Sequence, residues 1–118
     1  MKPKVYLYDK CDTCRRAVKF LRAKGIEFEA LPIREHPPTK DELRWMLGCL
    51  KGNLRRLFNT SGQDYRAMKL GERLPQLSAA EAIDLLASNG NLVKRPFLLT
   101  GRSGTVGFDE TEWSRLLD

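Results

Sequence analysis

The sequence predicts an α/β protein in which a βαβ unit and a ββα unit share one mixed four-stranded sheet, with a block of helices between them. Three observations predict it. A short apolar run, "KVYLY" (Lys4 to Tyr8), hands over to a stretch of helical period and then to an alternating run. The middle of the chain, about residues 38–90, carries two capping-box spacings and apolar stripes of helical period. Near the end, two apolar runs flank "GRSG", a hairpin signature, ahead of a last capped helix.

Taken in order, "KVYLY" reads as a buried strand ended by "DKCDT". Cys14, Ala17, Val18 and Leu21 then recur at helical spacing with Arg15, Arg16, Lys19 and Arg22 outside, and Gly25 supplies the stop. "IEFEALPI" (Ile26 to Ile33) alternates as a second strand. Thr39 and Glu42 have capping-box spacing ahead of Leu43, Met46, Leu47 and Leu50. "GNLRRLF" and "QDYRAMKL" predict two short helices broken at "NTSG" (Asn59 to Gly62). Ser78 and Glu81 cap another, bearing Ile83, Leu86 and Ala87 and ended by Asn89 and Gly90. Phe97 to Thr100 and Thr105 to Phe108 form the hairpin, and "DETE" caps a helix carrying Trp113, Leu116 and Leu117. No repeat or linker interrupts residues 1–118, so a single domain is expected. The order of elements is that of a thioredoxin-like fold with a helical insertion.

Composition removes several function classes. A chain of 118 residues has room for one core. No stretch approaches the roughly 20 apolar residues of a membrane span, and the N-terminus lacks a secretory pattern, so no membrane contact and a cytoplasmic location are expected. The net charge of +6 comes from 21 basic residues spread along the chain without an arginine-rich run, which reads as a solvated surface and not as a nucleic-acid interface. Nothing demands more than a monomer. Three cysteines are an odd number for a disulfide scaffold. Beyond Cys11 and Cys14, only Cys49 and His36 remain as soft metal ligands, neither at paired spacing, so no metal is expected. His36, before Pro37 and Pro38, reads as an exposed loop residue, and Cys49 as a buried, inert thiol.

The chemistry therefore gathers at "CDTC", where the first strand hands over to the first helix. Amide dipoles and unpaired N–H groups at a helix start favour a negative charge, and Lys10, Arg15 and Arg16 are near in sequence. Cys11 is the expected nucleophilic thiolate. Cys14, one turn on, either resolves the resulting mixed disulfide or sulfenic acid or simply packs on the apolar stripe.

"YDKCDTCRRAVKFLRAKGIEFE", "LFNTSGQDYRAM" and "LVKRPFLLTGRSGTVGFDETEWSRLL" together resemble the family of the arsenate reductase ArsC, the thiol-stress regulator Spx and the YffB-type proteins, with the middle motif most similar to the YffB-type branch. The resemblance implies a thioredoxin-like domain with a reactive Cys11, an active-site Arg95 that holds an oxyanion, and a cis-proline at Pro96. Arg95, Asn59 and Arg15 are the expected substrate contacts. Of the three arginines that ArsC-like enzymes place around the cysteine, the second position falls at Asn59 and the third near Phe108. A tetrahedral oxyanion would thus lose most of its charge-assisted contacts. The family also implies glutathione, or a glutaredoxin/thioredoxin system, as electron donor, with no bound cofactor. The alternative it implies is an Spx-like regulator that binds the C-terminal domain of the RNA polymerase alpha subunit through a CxxC switch. Gly52 stands near the glycine that Spx uses for that contact.

Overall fold

Alternation along β1 (Lys4–Leu7) sends Val5 to one face of the sheet and Tyr6 to the other, and both are buried. The computed structural model, which describes residues 2–118, arranges four strands in the order β2-β1-β3-β4. β2 (Glu29–Pro32) runs parallel to β1 after α1 (Asp12–Ala23), whereas β3 (Phe97–Leu99) and β4 (Gly104–Val106) form an antiparallel hairpin, with β3 beside β1. Ala17, Phe20 and Leu21 of α1 and Trp113 of α6 (Glu110–Leu117) cover Val5 and Leu98. The other face, through Tyr6, Phe97 and Val106, meets the insertion: α2 (Lys40–Cys49), α3 (Gln63–Ala67), α4 (Leu70–Arg73) and α5 (Ala79–Ser88). This is the thioredoxin-like arrangement, with the helical block between β2 and β3.

Local signals set most boundaries. Thr39 with Glu42, and Ser78 with Glu81, form reciprocal capping boxes, and Asp109 accepts the Glu112 N–H at the start of α6. Gly25, at φ +68°, ends α1 in a Schellman motif, with its N–H on the Arg22 carbonyl and the Ile26 N–H on the Leu21 carbonyl.

The structure corrects the expectation at four places. The strand expected over residues 26–33 begins only at Glu29, because Ile26 and Phe28 pack against the α1 layer instead. "GNLRRLF" forms one 3₁₀ turn, Leu54–Leu57, and the segment after Gly62 breaks at Lys69, whose left-handed φ of 53° separates α3 from α4. The last strand is Gly104–Val106, because Gly107 turns away at φ +75° and its carbonyl accepts the Trp113 indole N–H. Phe108 thereby leaves the sheet and packs edge-on to Phe20 and Trp113. Cys49, expected to be buried, is half-buried beside the core of the insertion.

Glu42 ties the insertion to the sheet. Beyond its capping role, it accepts from the Tyr6 hydroxyl at 2.6 Å and the Lys4 ammonium at 2.9 Å. Burial opposes the charge, but the hydrogen bonds from Tyr6, Lys4 and the Thr39 N–H outweigh it and hold the carboxyl below its ordinary 4.5. A depressed carboxyl stabilises the fold above the unfolded value, and that contribution is lost as the pH falls through the folded one. Glu42→Gln is expected to cost about 1–2 kcal/mol near pH 7, with the gap from wild type closing below pH 4.5. Urea melts of both proteins across that range measure it.

Candidate functional site

The site forms where β1 ends. Continuing the register that pairs Tyr6 with Phe97 puts Tyr8 across from Arg95, and the parallel register that pairs Leu7 with Pro32 puts the start of the next loop, Ile33 and Arg34, on the other flank. The chain then turns tightly, with the Cys11 N–H on the Tyr8 carbonyl at 3.1 Å. Cys11 becomes the N-cap of α1 in extended backbone (φ −102°, ψ 121°) and makes no side-chain capping bond. Its half-exposed sulfur is thus left at the helix start, beside the first turn of α1.

Cys14 has the opposite surroundings. It is 2% exposed on the inner side of α1, and its sulfur accepts the Tyr8 N–H at 3.5 Å. Burial, with the adjacent Cys11 sulfur adding to it, pushes the Cys14 thiol up to about 12 despite the opposing Tyr8 N–H and Arg95.

Arg95 precedes β3 through a cis peptide bond to Pro96. Its Nε donates to Val93 O, and one Nη donates to Gly90 O at 3.3 Å and Asn91 O at 2.7 Å. The guanidinium carbon lies 5.4 Å from the centre of the Tyr8 ring. Burial draws its pKa below the ordinary value, while Cys11, Cys14 and Tyr8 act in the other direction. The carbonyls that hold Arg95 are fixed in turn by Gly90. A β-carbon there would lie 1.9 Å from the Ile33 carbonyl oxygen, so only glycine lets the two loops meet.

The remaining expected contacts lie differently. Arg15 is exposed and already paired, with its Nη1 on Asp12 at 2.7 Å and its Nε on the Asp9 carbonyl. Asn59 donates its main-chain N–H to Leu92 O, next to the Arg95 loop, while its side-chain amide lies over Gly62. Phe108 is held in the aromatic cluster of the α1 layer. His36 is exposed, as expected. The sequence reading passed over Tyr8 and Arg34. Tyr8 supplies the surface on which Arg95 rests, and its only local signal was its place as the last aromatic before "DKC". Beside them, a groove of about 660 Å³ runs along α1, with Leu7, Cys14 and Val18 in its lining and Arg15, Lys19 and Arg22 at its edge. No helix among the described residues is long and apolar enough to cross a membrane.

A sheet of this topology, a cysteine at the first helix N-terminus and a cis-proline opening the third strand define a thioredoxin-fold protein with a thiol site. Its residues 6–116 match the ArsC family, and the chain belongs to that family. It is 44% identical over 108 residues to the uncharacterized protein YusI of Bacillus subtilis, a match covering 92% of each chain. It is 28% identical to the global transcriptional regulator Spx of Streptococcus pyogenes, over 92% of this chain and 79% of that one. The crystal structure of an ArsC family related protein from Bacteroides fragilis matches with a TM-score of 0.93 at 40% identity, covering 98% of both chains.

Two outcomes follow from this geometry. Iodoacetamide at pH 7 is expected to label Cys11 at least about tenfold faster than Cys14, with Cys14 reacting only toward strongly alkaline pH or after unfolding. Mass-mapped labelling across pH checks this. Gly90→Ala is expected to destabilise the fold by about 2–3 kcal/mol, read from chemical denaturation, because main chain and not a flexible side chain must yield.

Proposed function

We propose that this protein is a thiol-dependent oxidoreductase working by thiol–disulfide exchange at Cys11, with glutathione or a glutaredoxin/thioredoxin system as reductant. The observation that carries the reading is the contrast between its two neighbouring thiols. Cys11 is half-exposed at a helix start, whereas Cys14 is buried and protonated at neutral pH. In the first step the Cys11 thiolate attacks one sulfur of a substrate disulfide, the substrate S–S bond breaks, and the departing thiolate carries away the electron pair. For a glutathionylated substrate, this leaves glutathione disulfide-bonded to Cys11. A second glutathione thiolate then attacks the glutathione sulfur of that bond, releasing oxidised glutathione and the Cys11 thiolate, and the substrate thiolate takes up the proton that this glutathione lost. The external thiol takes the resolving step because a thiol near 12 is a poor nucleophile at pH 7.

Arsenate suits this site poorly. Only Arg95 matches the arginine trio, two of its three nitrogens already donate to carbonyls, and Phe108 is committed to packing. Turnover of a glutathionylated peptide with glutathione is expected to vanish in Cys11→Ser, to survive within about threefold in Cys14→Ser, and to exceed turnover of arsenate with glutathione and glutaredoxin by at least about a hundredfold. Coupled NADPH assays on the three proteins test it, and Cys11-dependent arsenate turnover of comparable rate would overturn it.

A second reading is favoured by the Cys11/Cys14 pair together with the likeness to Spx, named a global transcriptional regulator. In it the protein is a redox-switched regulator that binds the C-terminal domain of the RNA polymerase alpha subunit and has no turnover. No peptide turnover, together with diamide-dependent capture of that domain, would select it.

A further inference from the structure

The end of the sheet holds a second guanidinium that the cysteine motif did not point to. β1 lies between β2 and β3, so Tyr8, the residue just past its end, is approached from the β2 side by Arg34 and from the β3 side by Arg95. Arg34 Nη1 donates to the Tyr8 hydroxyl at 3.1 Å, and its guanidinium carbon lies 5.1 Å from the ring centre, against 5.4 Å for Arg95. The two cations therefore stand no farther apart than the sum of those distances. Neither is paired with a carboxylate among the described residues.

We propose that Arg34 and Arg95, both seated on Tyr8, form a two-cation anchor for the carboxylates of a small acidic thiol or disulfide and so set the substrate preference of Cys11. This deepens the thiol-exchange reading and rests on it. Two like charges on one ring repel each other until an anion arrives between or beside them. The field of Arg34 reaches Arg95 and opposes its charge, and the field of the Cys11 sulfur reaches Arg95 too, so anchor and nucleophile belong to one cluster. Among the described residues Arg34 has Nε and one Nη without a partner, a planar fork that matches a carboxylate, while Arg95 has one Nη left as a single charged donor. A tetrahedral oxyanion instead needs several donors converging on one point. Arg34 and Arg95 flank Tyr8 from opposite sides, which suits a ligand with carboxylates on either side of its sulfur. Gly90 sets the spacing, because its main chain packs against both the Ile33 carbonyl and the Arg34 α-carbon.

The test compares an anionic disulfide, 5,5′-dithiobis(2-nitrobenzoate), with a neutral one, 2,2′-dithiodipyridine, in stopped flow. It is run in a Cys49→Ser background and reads the first equivalent of thiol released. The ratio of the two rate constants is expected to fall at least about tenfold in Arg34→Ala, less in Arg34→Lys, and by an intermediate amount in Tyr8→Phe, which keeps the ring but loses the hydroxyl that holds Arg34. Arg102→Ala removes the same charge at the opposite end of β3 and is expected to leave the ratio unchanged. Binding of S-methylglutathione, which carries the carboxylates but cannot exchange, is expected to weaken about tenfold in Arg34→Ala by chemical-shift titration. A ratio within twofold of wild type in Arg34→Ala, or an equal fall in Arg102→Ala, would overturn the anchor. A Cys11 inert to both disulfides, with S-methylglutathione binding still dependent on Arg34, would overturn the exchange reading and leave the anchor standing.

Discussion

The placement of β1 between a parallel and an antiparallel neighbour is the constraint on which the site depends. Hydrogen bonding to β2 on one edge and β3 on the other fixes three chain segments in register at one end of the sheet. Past the last paired residues the strands stop together, and their continuations, Tyr8, Arg34 and Arg95, are forced into one neighbourhood. Cys11 follows within a single turn. Each of the three lies within two residues of a ladder pair, so the register of the strands sets where the side chains begin.

Burial then gives two chemically identical side chains different surroundings. One helical turn separates Cys11 from Cys14, and that turn carries the second sulfur from the helix start into the apolar interior. The cost of charging a group away from water keeps Cys14 a thiol, whereas Cys11 keeps solvent and the amide dipoles of the first turn. A CxxC spacing is therefore compatible with very unequal thiols. Here the second cysteine is part of the helix's buried face, while the first stands half-exposed at its start.

The insertion is joined to the sheet by polar as well as apolar contacts. Glu42 closes a capping box and also receives Tyr6 and Lys4 of β1, so the start of α2 is pinned to the central strand. At the other end of the insertion, the Phe58–Val93 bridge and the Asn59 and Lys94 N–H bonds tie the "NTSG" segment to the loop that carries Arg95. The helices thus brace the loop that carries Arg95, and Asn59 serves that bracing with its main chain.

The sequence by itself determined the elements whose causes are local. Capping boxes at Thr39 and Ser78, the Gly25 stop, the helical stripe after Cys11 and the turn "GRSG" depend on neighbours a few residues away, so β1, α1, α2, α5, α6 and the hairpin could be read from the chain, as could the cysteine at the helix start. Tertiary structure decided what depends on distant partners. Ile26 and Phe28 had a strand's alternation but were taken by the α1 layer, and Phe108 was pulled from the last strand by Gly107 and Trp113. Cys14 could resolve or pack on any local reading, and only its burial in the folded interior pushes its thiol upward, against the opposing Tyr8 N–H. Arg34 carries no motif at all. Its place beside Arg95 arises from strand register and from the absence of a side chain at Gly90, two facts that no stretch of sequence near residue 34 contains.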